Sequence, residues 1–291
     1  MIYFNSLPQW VQAHRFAYDP SNVPAELLCK LRTRLARFQE SKPEVSIIIP
    51  AYNEEESLLN MLSSLARQKT LYPTELIVAN NNSKDHTQDL LDQVGVRTLQ
   101  VTDQGAAFAR QAALQAAKGR FIVNADADCL YPPTWINALI EPLHNRVTSC
   151  TYGTYSFLPS AVNSRKALCI HETAAQLIFR LRRLRGYECV NVMGFNFAFR
   201  RDDALSVGGF NTSFRRGIDA ASDDGWMAMT LSAKGQIRQV KRDAYVWTSD
   251  RLLVKDGGVP KAFAKRLTNE LRRASRYLRP ADLPVAKPSA T

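Results

Sequence analysis

Residues 45–56 read VSIIIPAYNEEE, and residues 121–128 read FIVNADAD. Each stretch is an apolar, β-branched run that ends abruptly in polar residues, which is typical of a buried parallel strand with functional groups at its carboxyl end. The second run ends in two carboxylates, Asp126 and Asp128, separated by one small residue. Because side chains at i and i+2 of an extended chain point the same way, we expect these two to converge on a single hard cation. A nucleotide diphosphate is the natural partner of such a cation, so the two stretches point to an enzyme.

The composition is that of an ordinary soluble globular protein. The chain has 291 residues, of which 45% are hydrophobic and 22% are charged, and it is long enough to bury a substantial core. No apolar run approaches the roughly 20 residues that cross a bilayer, and the N-terminus lacks the pattern of a signal peptide, so we expect a cytoplasmic protein. The five cysteines are scattered without CxxC spacing. They are therefore expected to be reduced, mostly buried thiols rather than disulfides or zinc ligands.

The net charge of +11 is unevenly distributed along the chain. Residues 165–185 hold six Lys or Arg against one acid, Glu172, and residues 261–279 hold seven against Glu270. Basic surfaces attract the phosphates of nucleic acids, anionic lipids or nucleotide substrates. The charge alone does not choose among these partners.

Predicted strands and helices alternate regularly from residue 45 to residue 128. The strands are 45–50, 75–79, 96–101 and the run from Phe121; the helices are 24–39, one capped by Asn53, 87–93 and one from Gly105 to Lys118. From the first strand onward, this alternation requires a parallel sheet with helices on both faces. Ligands of such sheets bind at the carboxyl ends of the strands, where three polar clusters of this sequence lie.

The pattern changes after residue 150, and we see no internal repeats. The elements predicted there are a long basic helix at 163–185, a strand at 190–200, a turn at 208–210, a helix from Asp223 to Ala233 and an amphipathic helix from Pro260, followed by a disordered stretch from Pro280.

Four ordered motifs carry a resemblance to a known family. They are Ile49 to Glu54, Glu75 to Thr87, Gly105 to Asp128, and Gly194 to Phe210 followed by Asp223-Asp224 before an apolar helix. Over roughly residues 45–250 the chain resembles a family 2 glycosyltransferase of the GT-A fold, which implies an α/β, Rossmann-like, mostly parallel sheet flanked by helices. The implied regions are a helical N-terminal extension (1–44), a nucleotide-sugar-binding half (45–150), an acceptor-binding and catalytic half of the same domain (151–255), and a basic amphipathic C-terminal helix with a disordered tail (256–291).

The resemblance assigns a donor site to the strand ends. Asp128 would ligate Mn²⁺ or Mg²⁺ bridging the donor diphosphate, and Asp126 would hold the ribose or support the metal; the alternative is a solvated turn after a strand. The other residues assigned to donor binding are Pro50, Ala51, Tyr52, Glu54, Asn82, Gly105 and Arg110. For Tyr52, ordinary packing is an equal alternative.

Asn80 departs from the family pattern, in which the commoner residue is an Asp that pairs with the nucleotide base. The amide oxygen of Asn accepts a hydrogen bond from uracil as Asp does, but the amide nitrogen also donates. UDP is therefore the first expectation, with GDP and dTDP left open. The alternative interpretation of Asn80 is a simple Asx-rich turn.

Asp223 and Asp224 stand where the family has Glu-Asp at a helix start. By analogy one of them, first of all Asp224, is the general base that deprotonates the acceptor hydroxyl, and a single displacement then inverts the anomeric centre. The alternative is two acids that complement a helix N-terminus. Downstream, Arg251 falls in a loop that closes over the diphosphate in some members and would neutralise phosphate charge there, with Ser249 or Asp250 near the metal; an exposed polar turn is the alternative.

The sequence thus predicts a metal-dependent, inverting glycosyltransferase that moves one sugar from a nucleotide diphosphate donor to a carbohydrate or lipid-linked hydroxyl acceptor, in polysaccharide or glycolipid synthesis. One alternative is a nucleotidyltransferase that makes a nucleotide sugar, but such enzymes open with a glycine-rich phosphate loop that residues 50–53 do not resemble. Another is a non-catalytic basic module that binds lipid or nucleic acid, which leaves the acidic clusters unexplained.

We expect no nucleic acid partner. A basic amphipathic helix at 261–279 would allow peripheral contact with the anionic inner face of a membrane, or it packs on the domain. The sugar, acceptor and oligomeric state stay open.

Overall fold

A computed structural model describes residues 6–213 and 222–277 of the chain, with side chains described as far as Thr268. The helices are α1 (Gln9–Gln12), α2 (Ala25–Leu35), α3 (Leu58–Leu65), α4 (Thr87–Val94), α5 (Ala106–Ala116), α6 (Trp135–Ile140), α7 (Arg165–Leu184), α8 (Arg201–Ser206), α9 (Asp223–Leu231), α10 (Arg251–Lys255) and α11 (Val259–Tyr277). The strands are β1 (Val45–Ala51), β2 (Thr74–Asn80), β3 (Arg97–Gln100), β4 (Phe121–Asn124), β5 (Cys129–Leu130), β6 (Thr148–Tyr152), β7 (Thr154–Phe157), β8 (Phe197–Arg200), β9 (Gln236–Gln239) and β10 (Tyr245–Thr248).

The main sheet has seven strands in the order β3-β2-β1-β4-β8-β6-β9. Neighbouring strands are parallel except where β8 pairs antiparallel with β4 and with β6. The apolar run of β1 lies in the middle, in register with β2 from Val45 to Ala51 and with β4 from Val45 to Ile48. The predicted α/β fold with a mostly parallel sheet is confirmed, and the carboxyl ends of β1, β2 and β4 meet at one edge.

Side chains that alternate along β1 pack in two hydrophobic cores, one on each face of the sheet. Ile47 and Ile49 pack in the core that also holds the apolar residues of α2, α3, α4 and α6. Ile48 points to the other face and packs against Ala109 and Ala113 of α5. Small alanine side chains let α5 lie close to the sheet, so the strand that is buried on both sides reads as a continuous apolar run.

A second, three-stranded sheet has the order β5-β10-β7. β10 pairs antiparallel with β5, so that Thr248 lies beside Cys129. Immediately after this pair, the Ser249 N–H donates to the carbonyl oxygen of Asp128 at 3.1 Å. This small sheet therefore brings the segment that carries Arg251 next to the acidic turn after β4.

Two local predictions were wrong. Asn53 does not cap the helix after β1, because α3 starts at Leu58 with Ser57 as its N-cap residue, and Asn53 is instead left-handed (φ +52°) and accepts the Lys84 N–H at 2.8 Å. The strand predicted at 190–200 begins only at Phe197, since residues 188–191 form a 3-10 helix.

The basic segment at 165–185 is a helix as predicted, but two of its six basic side chains are not on the surface. Arg165 is buried, donates to Glu172 Oε1 at 2.7 Å and lies over the Trp247 ring. Arg182 is also buried. Helical periodicity places both on the inner face of α7, where a guanidinium needs a partner such as Glu172 to be tolerated.

Several other predictions can be compared with the structure. None of the five cysteines is in a disulfide, and all except Cys29 are buried, as predicted. In the two described ranges, no helix has both the length and the apolar character needed to cross a bilayer. The predicted boundary between residues 150 and 151 falls inside β6, and the stretch from Pro280 lies outside the described residues.

Candidate active site

The loops after β1 and β2 form one rim of the site because they are joined by hydrogen bonds. The Glu54 N–H donates to Thr87 Oγ1 at 2.8 Å, and the Glu55 N–H donates to Asp85 Oδ2 at 3.1 Å. These side chains satisfy main-chain N–H groups that follow the end of β1, so the two loops are tied to each other.

Asp126 and Asp128 lie in the turn between β4 and β5, because the extended strand ends at Asn124. Asp126 Oδ1 accepts a hydrogen bond from Arg110 Nη2 at 2.7 Å, whereas Asp128 Oδ2 accepts one from Arg251 Nη2 at 2.9 Å. The extended geometry predicted for this pair is therefore wrong, and each carboxylate contacts a different arginine.

Arg110 links the acidic turn to the start of α9. It projects from α5, its side chain is only 6% exposed, and its Nη1 donates to Asp223 Oδ2 at 2.6 Å. Burial lowers the pKa of Arg110, but the carboxylates of Asp126, Asp223 and Asp224 outweigh it and raise the pKa above its ordinary value. The guanidinium is therefore a fixed positive charge among three acids.

Gly194 makes room for this guanidinium. A Cβ atom at residue 194 would lie 2.5 Å from Arg110 Nη2 and 2.8 Å from its Cζ. The arginine cannot easily move away because two carboxylates hold its terminal nitrogens. Glycine is thus required here by close approach rather than by backbone conformation.

Asp224 is positioned by main-chain groups rather than by a cation. Its Oδ2 accepts the Gly194 N–H at 2.6 Å, and its Oδ1 accepts the Gly225 N–H at 2.8 Å. Ser222 caps α9, so both Asp223 and Asp224 lie in the first turn of that helix, where acids are favoured. The two predicted base candidates therefore lie side by side but have different partners.

Arg251 bridges two carboxylates on the opposite side of the acidic turn. Its Nη2 donates to Glu54 Oε1 at 2.7 Å as well as to Asp128, and its side chain is 53% exposed. Burial raises the pKa of Glu54, and the hydrogen bond from Arg251 opposes that rise. Asp250, predicted to approach a metal, accepts instead from Ser160 and Asn163, both of which precede α7.

Asn80 and its neighbours are held in local hydrogen bonds. Asn80 is buried, its Oδ1 accepts the Ser83 N–H at 3.1 Å, and its Nδ2 donates to Gln88 Oε1 at 2.8 Å. Asn82 is exposed and left-handed (φ +64°). These contacts correspond to the Asx-turn interpretation of Asn80.

Asn81 is a site-forming residue that sequence reasoning missed. Its Oδ1 accepts the Gly105 N–H at 2.6 Å, and its Nδ2 donates to the Asp103 carbonyl at 2.6 Å. It thereby ties the end of β2 to the start of α5, which carries Arg110. The signal in the sequence was three consecutive Asn residues after a strand, but nothing there indicates which of them points inward.

The remaining predicted donor residues lie at the same edge. Pro50 and Ala51 end β1, in register with Ala79 and Asn80 of β2. Tyr52 follows them and is 47% exposed, so it is not a core residue. Its exposure removes ordinary core packing as the explanation for this aromatic ring.

A cleft of about 780 Å³ opens beside Arg251. Its lining includes Glu54, Lys84, Ser160 and Arg251, together with Arg15 from the N-terminal extension. Arg15 Nη2 donates to the Pro159 carbonyl at 3.2 Å, which fixes the extension to the cleft wall. Sequence reasoning had given Arg15 no role.

The carboxylates of this edge fit a divalent cation. Within the residues that the structure describes, no three His, Cys, Asp or Glu side chains are grouped as a complete metal site. Mg²⁺ in nucleotide sites is commonly held by one or two carboxylates, with phosphate oxygens and water as the other ligands. Asp128 meets that need, since it already binds a cationic group, the Arg251 guanidinium, that it shares with Glu54.

Comparison with known proteins gives a family match. Residues 46–208 match the family described as Glycosyl transferase family 2. The chain is 34% identical over 118 residues to the UDP-Glc:α-D-GlcNAc-diphosphoundecaprenol β-1,3-glucosyltransferase of Escherichia coli, a segment that covers 39% of this chain and 46% of that protein. The chain spans less than half the length of the curated relatives compared with it.

Two solved structures share the fold. One is a mannosyltransferase from Pyrobaculum calidifontis in complex with GDP-Man and Mn²⁺ (TM-score 0.54, 20% identity, 77% of this chain and 64% of that one). The other is the Mycobacterium tuberculosis glucosyl-3-phosphoglycerate synthase in complex with Mn²⁺, UDP-Glc and phosphoglyceric acid (TM-score 0.53, 20% identity, 85% and 84%). At this identity the likeness supports the GT-A fold alone.

Proposed function

The chain belongs to glycosyl transferase family 2, and on that premise we propose that it transfers a single sugar from a nucleotide diphosphate donor to a hydroxyl acceptor with inversion. The observation that carries this proposal is the network around Arg110. It joins Asp126, in the acidic turn after β4, to Asp223 at the start of α9. The Arg110 network would thus position both the donor-binding acid and the start of the helix that carries the base.

The donor is proposed to be a UDP-sugar, with GDP- and dTDP-sugars as alternatives. The two solved neighbours bind GDP-Man and UDP-Glc, so the shared fold accepts either base. The Asn80 amide offers both an acceptor and a donor, but both are engaged by Ser83 and Gln88. An amide oxygen has two lone pairs and an amide nitrogen has two N–H groups, so each group can take part in a second hydrogen bond, to a base, without losing the first.

Asp128, supported by Asp126, is proposed to hold Mn²⁺ or Mg²⁺. When bound, the cation neutralises the negative charge that develops on the leaving diphosphate. Arg251 is half exposed and already lies beside Asp128, so it is placed to donate hydrogen bonds to the diphosphate. Glu54 binds Arg251 and orients it.

Asp224 is proposed as the general base. Two main-chain N–H groups orient its carboxylate, whereas the charge of Asp223 is engaged by Arg110. Asp224 would accept the proton of the acceptor hydroxyl while that oxygen bonds to the anomeric carbon and the bond to the diphosphate breaks. A single displacement of this kind inverts the anomeric centre.

The acceptor is proposed to be a carbohydrate or a lipid-linked sugar in polysaccharide or glycolipid synthesis. The Escherichia coli relative is named for a diphosphoundecaprenol-linked acceptor. The cleft beside Arg251 lies between the donor edge and the segment before α7, where an acceptor can reach the site.

A thermal-shift panel with UDP, GDP, dTDP and CMP, each with Mn²⁺ or with EDTA, tests the donor and the metal. We expect one diphosphate to stabilise the protein only when metal is present, and Asp128→Ala to remove that stabilisation. Asp202→Ala is the matched control, because this carboxylate is almost fully exposed on α8 and forms an ion pair with Arg201 at 3.8 Å, away from the acidic turn. Equal stabilisation in EDTA would contradict the metal assignment.

Turnover of the identified donor tests the base. Asp224→Asn should keep metal-dependent donor binding while turnover falls about 10²–10⁴-fold, the usual contribution of a general base. If Asp223→Asn abolishes turnover while Asp224→Asn remains active, the two roles are exchanged.

A further inference from the structure

The outer side of α7 carries an apolar ridge that nothing else in the described chain covers. We define this outer ridge as Ile170, Leu177, Leu181 and Leu184, whose exposed fractions are 66%, 68%, 51% and 83%. Their spacing of seven, four and three residues places them in one line along the helix, about 21 Å long at 1.5 Å per residue. Contiguous exposed apolar surface of this kind marks an interaction site.

Cations flank the outer ridge, and no exposed acid of α7 interrupts it. Lys166 lies at one end of α7, and Arg180 and Arg185 lie at the other; all three are exposed. The only acid of the helix, Glu172, is buried on the opposite face against Arg165. Among the described residues the exposed charges of α7 that border this ridge are basic, and an aliphatic ridge beside cations is complementary to an anionic lipid surface.

Packing of α11 extends the same surface. Val259 and Ala262 are buried in a small core with Leu168 of α7, which fixes α11 beside that helix. Lys261 of α11 is exposed, while Lys265 is paired with Asp256 at 2.6 Å. The packed residues of α11 are Val259 and Ala262, whereas Phe263 and Leu267 of the apolar face predicted for the C-terminal helix are 38% and 48% exposed.

The outer ridge is connected to the candidate active site through the segment before α7. Ser160 lines the cleft, and together with Asn163 it holds Asp250, the residue next to Arg251. The segment before α7 therefore links the helix that carries the outer ridge to the wall of the cleft.

We propose, resting on the lipid-linked acceptor class proposed above, that the outer ridge of α7 and its basic border dock on an anionic membrane. The four aliphatic side chains enter the headgroup–acyl boundary, and Lys166, Arg180 and Arg185 contact acidic headgroups. Docking concentrates the enzyme where its acceptor is found. It requires no membrane-spanning helix.

Sedimentation of the full chain with vesicles tests this surface without any activity measurement. We expect binding to vesicles with about 30% phosphatidylglycerol, little binding to neutral phosphatidylcholine vesicles, and loss of binding as salt screens the charges. Leu177→Glu with Leu184→Glu should weaken vesicle binding about tenfold or more, since two leucines that would enter the headgroup–acyl boundary are lost and two negative charges are added. Because both positions are exposed, thermal unfolding should be nearly unchanged.

Leu71→Glu is the matched control, because Leu71 is 90% exposed in the loop between α3 and β2 and shares none of the outer ridge. Its vesicle binding should equal that of the wild type. The docking surface is overturned if the wild type fails to bind anionic vesicles at low salt, or if the ridge variant binds as well as the control. It is also overturned if the wild type is a dimer that the ridge variant converts to a monomer, which would identify the ridge as a subunit interface. Metal-dependent donor binding is measured in a separate experiment. The vesicle assay can therefore be interpreted whether or not donor binding is observed, and the reverse also holds.

Discussion

Arg110 and Arg251 each bind one carboxylate of the same acidic turn, but their surroundings are opposite. Arg110 is buried to 6% exposure, and its terminal nitrogens are held by Asp126 and Asp223. Arg251 is 53% exposed and binds Asp128 and Glu54 through one nitrogen. One arginine is a fixed part of the fold, and the other is free to exchange partners when a charged ligand arrives.

The difference in burial indicates that Arg110 and Arg251 have different functions in the site. A buried cation between three acids cannot leave without exposing uncompensated charge, so the Arg110 side positions the acids of the turn and of α9 relative to one another. A half-exposed cation gains little from its ion pairs in water and loses little by moving. The Arg251 side is therefore suited to binding and releasing the donor diphosphate.

Arg110→Met should have the largest effect on the free energy of unfolding. It leaves Asp126 and Asp223 without their cation in a mostly buried site, which should lower the free energy of unfolding by about 3 kcal/mol. Urea denaturation measures the loss. Arg251→Met is the matched control and should change stability by less than about 1 kcal/mol; comparable losses in the two variants would show that burial does not separate the two arginines.

The sequence was sufficient to predict the strands β1 to β4 and most helices, because each depends on local periodicity, whereas the turn that holds Asp126 and Asp128 was predicted as extended chain. Apolar runs such as Ile47–Ile49 report burial on both sides directly. Asp223 and Asp224 were proposed as base candidates from the family resemblance, and the helix start predicted at these two acids is confirmed. None of this required knowledge of contacts between distant residues.

The arginine partners were not predictable in the same way. Arg110 and Asp223 are 113 residues apart, and Arg251 and Glu54 are 197 residues apart. Their pairing depends on how α5, α9 and α10 dock around the sheet, which no local pattern encodes. The burial of Arg165 is a similar case, since a basic side chain is expected on the surface until its partner Glu172 is seen beside it.

Gly194→Ala disturbs the buried surroundings of Arg110 without removing a charge, and it should have the second largest effect on stability. The added Cβ would lie 2.5 Å from Arg110 Nη2, so overpacking should cost about 1–3 kcal/mol of stability. A double-mutant cycle with Arg110→Met provides the control: the cost of Gly194→Ala should shrink when the guanidinium is absent. Additive losses would place the strain elsewhere.

Arg251→Gln should have the smallest effect on stability, and its pH dependence identifies the cause. Burial raises the pKa of Glu54 above its ordinary value, and Arg251 opposes that shift. A carboxyl group whose pKa is raised by folding binds its proton more tightly in the folded state, so its contribution to stability is present at low pH and is lost as pH rises through the folded pKa. Without Arg251 this loss grows, because the buried carboxylate no longer has its cation.

Urea denaturation at about pH 4 and about pH 8, in EDTA, measures this effect. The wild type and the variant should have nearly equal stabilities at the lower pH, and the variant should be less stable by up to about 1 kcal/mol at the higher pH. The control pair is Glu54→Gln and Arg251→Gln/Glu54→Gln, which both lack the titrating group, so their difference in stability should be the same at both pH values. A pH-dependent difference between these two variants would assign the interaction of Arg251 to Asp128 rather than to Glu54.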